Sequence, residues 1–245
     1  MPAVHPVGAV VVRGEQLALS TTVASLGIPP NCYQTRLYVP STNFRLHVNP
    51  KILGACMYDA SAAAGSRFIA FTQNLTDRDT GTGTGSSLNS MATGDYIYVG
   101  FADTNGGLYV TVGNDNANGG VMAVTYYDGS AWSNITPTDN TTIFSASGTI
   151  TWTAPTTWPT LPLDQILTTE TNVPSTPAKW VRISTNTAAD STTSLTELWT
   201  LNKDTNRVYC YMGQEYNISF DLRQVGAIEA ILASGTDTMD VSWVR

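Results

Sequence analysis

The sequence predicts an all-β protein, a sandwich or jelly-roll-like central domain with further β-rich flanks. Three observations carry this. Alternation of apolar and polar residues at period two recurs from one end to the other. Clusters of Gly, Asn, Pro and Ser interrupt it at short intervals, as expected of many short strands joined by turns. No segment carries a long helical stripe, and LDQILTTE after Pro162 is long enough for one or two helical turns only.

In FRLHV, Phe44, Leu46 and Val48 alternate with Arg45 and His47; in YNISFDL, Tyr216, Ile218, Phe220 and Leu222 alternate with Asn217, Ser219 and Asp221. Each reads as a half-buried strand. Further strands are expected over 33–39, 52–58, 68–71, 95–101, 108–112, 121–127, 149–152, 180–185, 195–201, 208–212, 227–232 and 238–244. Two loose segments divide the chain, the Gly/Thr/Ser stretch 76–90 and the polar turn 202–206. They set an N-terminal region at 1–93, a sandwich at 94–201 and C-terminal strands at 202–245 that could pack with the first region. A last segment of about three or four strands needs such a partner to bury its apolar face.

Of the 245 residues, 42% are hydrophobic but only 13% are charged, roughly half the ~25% usual for soluble domains. Thr, Ser, Asn and Gly cover the surface instead. Short neutral polar groups lose little side-chain entropy on ordering, and few charges need desolvating, so such a surface suits wide protein contacts or an extracellular setting. The net charge of −7 and a pI near 4.6, with no Lys/Arg cluster, argue against nucleic acid as a partner. Cys32, Cys56 and Cys210 are widely spaced and odd in number, which reads as free buried thiols rather than one disulfide with a spare. The N-terminal MPAVHPVGAVVVRG has no basic leader, and its apolar run stops at Arg13, too short for a signal h-region or membrane span.

The two histidines, His5 and His47, lie in a Pro-flanked terminus and on the Arg45 side of a strand, which suits an exposed or interface role better than a triad. GTGTGSS lacks the Lys and helix of a phosphate loop. Asp77, Asp79, Asp103, Asp128 and Glu170 are sparse carboxylates of the kind that cap turns. In NDNANGG, Asn114, Asn116 and Asn118 mimic calcium-loop spacing, but Thr125 stands where the bidentate Glu belongs, so a plain Asn/Gly loop is expected. The four Asn-x-Ser/Thr sequons, at Asn74, Asn134, Asn140 and Asn217, are read as by-products of a Thr-rich chain. No enzyme activity, cofactor or metal is expected.

The most particular residues form an ordered series: GDYIYVGF (94–101), GLYVTVG (107–113), AVTYYDGSAW (123–132), GTITWTAPTTWP (148–159) and KWVRIS (179–184). Asp128-Gly129 signals a tight hairpin across which Tyr126 or Tyr127 can meet Trp132. Trp152, Trp158 and Trp180 are large enough to fill a space between sheets. Trp180 and Arg182 share a face and are placed to stack. Taken in order, the series resembles a β-sandwich module of tailed-bacteriophage virion proteins, across about two fifths of the chain. The resemblance implies a non-enzymatic structural part of the virion exterior, foremost a head decoration or cement protein. Its expected partners are the major capsid protein and itself, as a homotrimer, with no membrane. Neck, tail, baseplate or fibre placement is the alternative, with a host-surface receptor or glycan as ligand. Tyr109, Trp180, Arg182, Arg45 and His47 are the candidate binding surface.

Overall fold

The computed structural model describes residues 11–19, 24–27, 32, 34–38, 40–50, 52–76, 85–89, 91–201, 208–210, 213–219, 225–232 and 236–244. It is nearly all β, 48% strand and 5% helix. The first elements are β1 (Val11–Leu19), β2 (Ala24–Gly27), β3 (Gln34–Tyr38), β4 (Phe44–Pro50), β5 (Ile52–Tyr58), β6 (Phe68–Ala70), the one-turn α1 (Thr72–Thr76) and β7 (Ser86–Ser87). Next come β8 (Tyr96–Phe101), β9 (Gly107–Asn114), β10 (Met122–Tyr127), β11 (Trp132–Ile135), β12 (Thr138–Asp139), β13 (Gly148–Thr151), β14 (Leu161–Pro162) and α2 (Leu163–Ile166). The chain finishes with β15 (Pro177–Thr185), β16 (Ser194–Thr200), β17 (Val208–Cys210), β18 (Glu215–Ser219), β19 (Val225–Leu232) and β20 (Asp237–Val244).

These elements fall into two compact units, 1–49 with 204–245, and 50–203. In the first, a four-stranded sheet of order β1-β20-β3-β18 accompanies a four-stranded sheet of order β17-β4-β19-β2. Period two is plain in β3, where Thr35 and Leu37 are buried while Arg36 and Tyr38 are exposed. Leu37, Phe44, Leu232, Met239, Val241 and Trp243 share one core. Phe44 meets Tyr216 edge-on at 5.7 Å between ring centres.

The second unit is a sandwich. One sheet runs β11-β10-β15-β8-β5-β6, with β14 joined to β15; the other runs β12-β13-β9-β16-β7. Ile97, Val99, Val181 and Ile183 from the first sheet and Leu108, Val110, Ile150 and Leu198 from the second form one core. Trp152 and Trp158 lie in it, Trp158 edge-on to both Phe101 and Tyr126.

The boundary expected at 93/94 is corrected to 49/50. β5 pairs antiparallel with β8 from Ile52↔Phe101 to Tyr58↔Tyr96, and Phe71, Leu75, Leu88 and Met91 fill the same core. ILGACMY is buried on both faces, so alternation alone gave no sign of which neighbours it needed. The Gly/Thr/Ser stretch thus interrupts one sandwich rather than separating two regions; its residues 77–84 lie outside the described ones. The later boundary moves from 201/202 to 203/204.

Trp180 is also placed differently from expectation. Its neighbours Val181 and Ile183 enter the core, so Trp180 points to the outer face of the seven-stranded sheet. There its indole lies over two glycines on adjacent strands. A Cβ at Gly54 would approach Trp180 Cη2 to 2.8 Å; one at Gly100 would meet the Ala178 Cβ at 2.8 Å and the indole at 2.9 Å. The indole N–H donates to the Leu161 carbonyl at 2.8 Å. Leu163, Ile166, Leu167 and Val173 then close over it.

Because no methyl group fits between Trp180 and the β8 backbone, Gly100→Ala is expected to lower unfolding free energy by about 1–3 kcal/mol through overpacking. Urea denaturation of the full chain checks this; an unchanged midpoint would mean that the indole does not rest on Gly100.

Candidate functional site

Outward residues of the seven-stranded sheet assemble a continuous aromatic strip with one arginine inside it. Tyr96 and Tyr98 alternate with core residues on β8, Arg182 sits on β15 and Trp132 on β11. The Arg182 guanidinium carbon lies 4.4 Å from the Tyr96 ring centre and 4.7 Å from that of Trp132. Its Nε donates to Thr125 Oγ1 at 2.9 Å. Trp132 in turn meets Tyr98 at 5.5 Å and Tyr127 at 5.6 Å, both edge-on. Stacking on a ring quadrupole accommodates a cation whose polar contacts are few. Burial pushes the Tyr98 hydroxyl pKa well upward, opposed by the positive charge and hydrogen bond of Arg182.

At the other end of the strip, Tyr58 and Phe68 pack at 5.2 Å. Arg67 Nη1 donates to Glu170 Oε1 at 2.9 Å and the Tyr58 hydroxyl donates to the same oxygen at 2.9 Å. This polar clasp ties the segment carrying Glu170 to the sheet edge. Cys56, beneath the strip, has its thiol pKa pushed up to about 12 by burial, which keeps it a neutral packing group. Cys32 is likewise buried; the side chain of Cys210 lies outside the described residues.

Within the sandwich, Tyr109, Trp180 and Arg182 do not form one surface. Arg182 stacks on Tyr96 and Trp132 rather than on Trp180, and Trp180 is only 1% exposed. Tyr109 belongs to β9 in the opposite sheet, with Thr149 and Trp199 beside it in register. It is 38% exposed. Trp199 donates from Nε1 to Glu197 Oε2 at 3.0 Å on the same face. Arg45 lies in β4, opposite Tyr209, and His47 lies in the same strand; the side chains of both, and all of His5, fall outside the described residues. Sequence reading missed Tyr96, Tyr98 and Trp132 as partners of Arg182. The available signal was period two in YIYVGF combined with the Asp128-Gly129 hairpin.

The carboxylates in loops act as pins. Asp128 Oδ1 accepts from the N–H groups of Ser130 and Ala131, and its Oδ2 from the Ser133 hydroxyl at 2.6 Å. Gly129 has φ +109°, and the turn closes with Asp128 N–H to Ala131 carbonyl at 3.0 Å. Asp190 accepts from the N–H groups of Ala117, Thr192 and Thr193. Asp103 accepts from Thr104 N–H. Asp139 accepts from Thr141 and Ile143 N–H, holding a left-handed turn with φ of 51°, 58° and 63° at Thr142, Ile143 and Phe144. Such residues cost about 1–2 kcal/mol each in that conformation, offset here by burial of Ile143 and Phe144.

Asn116 is the hub of the Asn/Gly loop. Its Nδ2 donates to the carbonyls of Ile143 and Asn118, and its Oδ1 accepts from the N–H groups of Asn118 and Asp190. Its amide oxygen is directed at N–H donors, which is the arrangement of a loop anchor rather than a cation ligand. Among the described residues, no group of three or more His, Cys, Asp or Glu is arranged to hold a metal ion. Asp77 and Asp79 lie outside them.

No protein-family model matches the chain, and no curated protein matches it.

Hydrogen bonds hold the Asp128 and Asp190 carboxyl pKa values far below the ordinary carboxylate range, the Ser133 hydroxyl contributing most at Asp128 and the Ala117 N–H at Asp190. Both shifts are depressions, so their stabilisation is present above the unfolded pKa of about 3.9 and is lost as pH falls through it toward the folded value. Amide exchange at Ala117, Ser130, Ala131 and Thr192 is therefore expected to gain relative to core amides on acidification below about pH 4. Constant relative protection down to pH 2 or so would contradict the pins.

Proposed function

We propose that the chain is a non-enzymatic structural protein of a tailed-phage virion, a head decoration protein that binds across neighbouring major-capsid subunits as a homotrimer. The observation that carries the reading is where the ordered motif series lies. GDYIYVGF supplies β8, GLYVTVG supplies β9, AVTYYDGSAW supplies β10, its hairpin and the start of β11, GTITWTAPTTWP supplies β13 with two core tryptophans, and KWVRIS lies within β15. The series supplies strands to both sheets of one sandwich, which β5, β6, β7 and β16 help to complete, a unit that can be mounted on a particle without chemistry of its own.

Two further features support it. Loop carboxylates face N–H donors of their own or neighbouring loops, which is a stabilising use rather than a general acid and base. Exposed apolar side chains at Tyr38, Ile69, Tyr109 and Val121, on a surface poor in charge, give contact points that are cheap to desolvate.

A tail-borne receptor or glycan binder is the second reading, favoured by the half-buried Tyr96–Arg182–Trp132 stack, since aromatic rings beside polar donors suit sugars. Trp180 is too buried to contribute to it.

Purified protein added to phage heads lacking it is expected to co-sediment with them and to raise their rupture temperature. Heads that gain neither the protein nor stability, together with recovery of the protein on tails alone, would overturn the decoration reading. Binding on a glycan array lost in Arg182→Gln would then favour the second.

A further inference from the structure

The chain contains Asn-Gly pairs at Asn105-Gly106 and Asn118-Gly119, and the fold treats them in opposite ways. Asn-Gly is the dipeptide in which the following amide nitrogen, unhindered by a side chain, most readily attacks the asparagine side-chain carbonyl. Whether it does so depends on the freedom of that nitrogen and that side chain.

Asn105 is 1% exposed. Its Nδ2 donates to the Gly107 carbonyl at 3.0 Å and its Oδ1 accepts from Gly107 N–H. The would-be nucleophile is occupied too, because Gly106 N–H donates to the Leu201 carbonyl at 3.3 Å. Trp152 fastens both residues further, its backbone N–H to the Gly106 carbonyl and its indole N–H to that of Asn105. Attack would require the sandwich edge to open.

Asn118 is exposed, as are Gly119 and Gly120. Its side chain has one hydrogen bond, from Nδ2 to the Ala188 carbonyl at 3.0 Å, at the surface. Among the described residues no acceptor takes the Gly119 N–H, and nothing lies within 4 Å of where a Gly119 Cβ would be. Among the described residues, Asn118 is held by this surface bond and by the bonds of its backbone N–H and carbonyl to the Asn116 side chain, while the Gly119 nitrogen is free and its approach open.

We propose that Asn118 is a spontaneous modification site, converting to aspartate and isoaspartate in the native protein. The Gly119 nitrogen, deprotonated by hydroxide, forms a bond to Asn118 Cγ. The Cγ–Nδ2 bond breaks and ammonia leaves, giving a cyclic imide. Water then opens either imide carbonyl, leaving a carboxylate; no oxidant or reductant is involved. The product replaces the donor opposite the Ala188 carbonyl with an acceptor, and adds negative charge to a loop that already carries Asp115 and is tied to Asp190 through Ala117. The junction between 114–120 and 186–193 is weakened as the protein ages.

The test is incubation of the full native chain at mildly alkaline pH, followed by peptide mapping with isoaspartate detection. Asn118 is expected to convert at least about tenfold faster than Asn105, and the gap is expected to close in urea, where local protection is gone. Gly119→Ala fits the open space and is expected to keep the melting temperature while slowing conversion at Asn118 at least about tenfold, by shielding the nitrogen. Equal rates at the two sites in the folded protein would overturn the proposal. So would an Asn118 as durable as Asn105, or a Gly119→Ala protein that converts as fast as the native one.

Discussion

The outer face of the larger sandwich depends on one steric match, the Trp180 indole lying on the bare backbone of Gly54 and Gly100. Large aromatic side chains need a surface that comes close on all sides, because a gap forfeits dispersion contacts and an extra methyl forces strain. Glycines on neighbouring strands provide a flat floor. The indole N–H fixes Leu161, and from that point Leu163, Ile166, Leu167 and Val173 cover the sheet. Lys179 reinforces the same corner from the adjoining position, its ammonium donating to the Trp158 carbonyl, while Trp158 Nε1 donates to the Trp180 carbonyl.

Around this apolar arrangement, a chain with few charges satisfies its loops by short side chains. Asp128, Asp139, Asp190 and Asn116 each bond several backbone groups within or between loops. Such bonds satisfy backbone groups that would otherwise have to keep water or go without a partner. Thr, Ser and Asn are thus not merely a neutral coat. They are the loop architecture, in a chain poor in the long charged side chains that resist burial in an assembly.

Much of the fold was legible because period two survives wherever one face of a strand meets water, as in β3. β5 is the instructive exception. Buried on both faces, ILGACMY showed that it was a strand but not to which sheet it belonged, so the domain boundary was misplaced. β1 was read only as a short apolar run, since Arg13, Gly14 and Glu15 break its pattern. The one-turn helix α2 was anticipated from Pro162. The site was less legible. Alternation put Trp180 and Arg182 on one face correctly, but a face says nothing about what lies over it, and the 161–173 cover came from a segment with no strand signal beyond its first residues. Tyr109 was separated from that face by the sandwich itself, a fact of three-dimensional pairing.

The covering segment should therefore be held by Trp180 and not by its own short helix. Native-state hydrogen exchange on Trp180→Phe, which keeps an aromatic ring but removes the N–H bond to Leu161, measures this most directly. The amides of Asp164, Leu167 and Glu170 are expected to lose protection relative to native protein, while amides of β9, β13 and β16 keep theirs. Unchanged protection across 161–173 would contradict it.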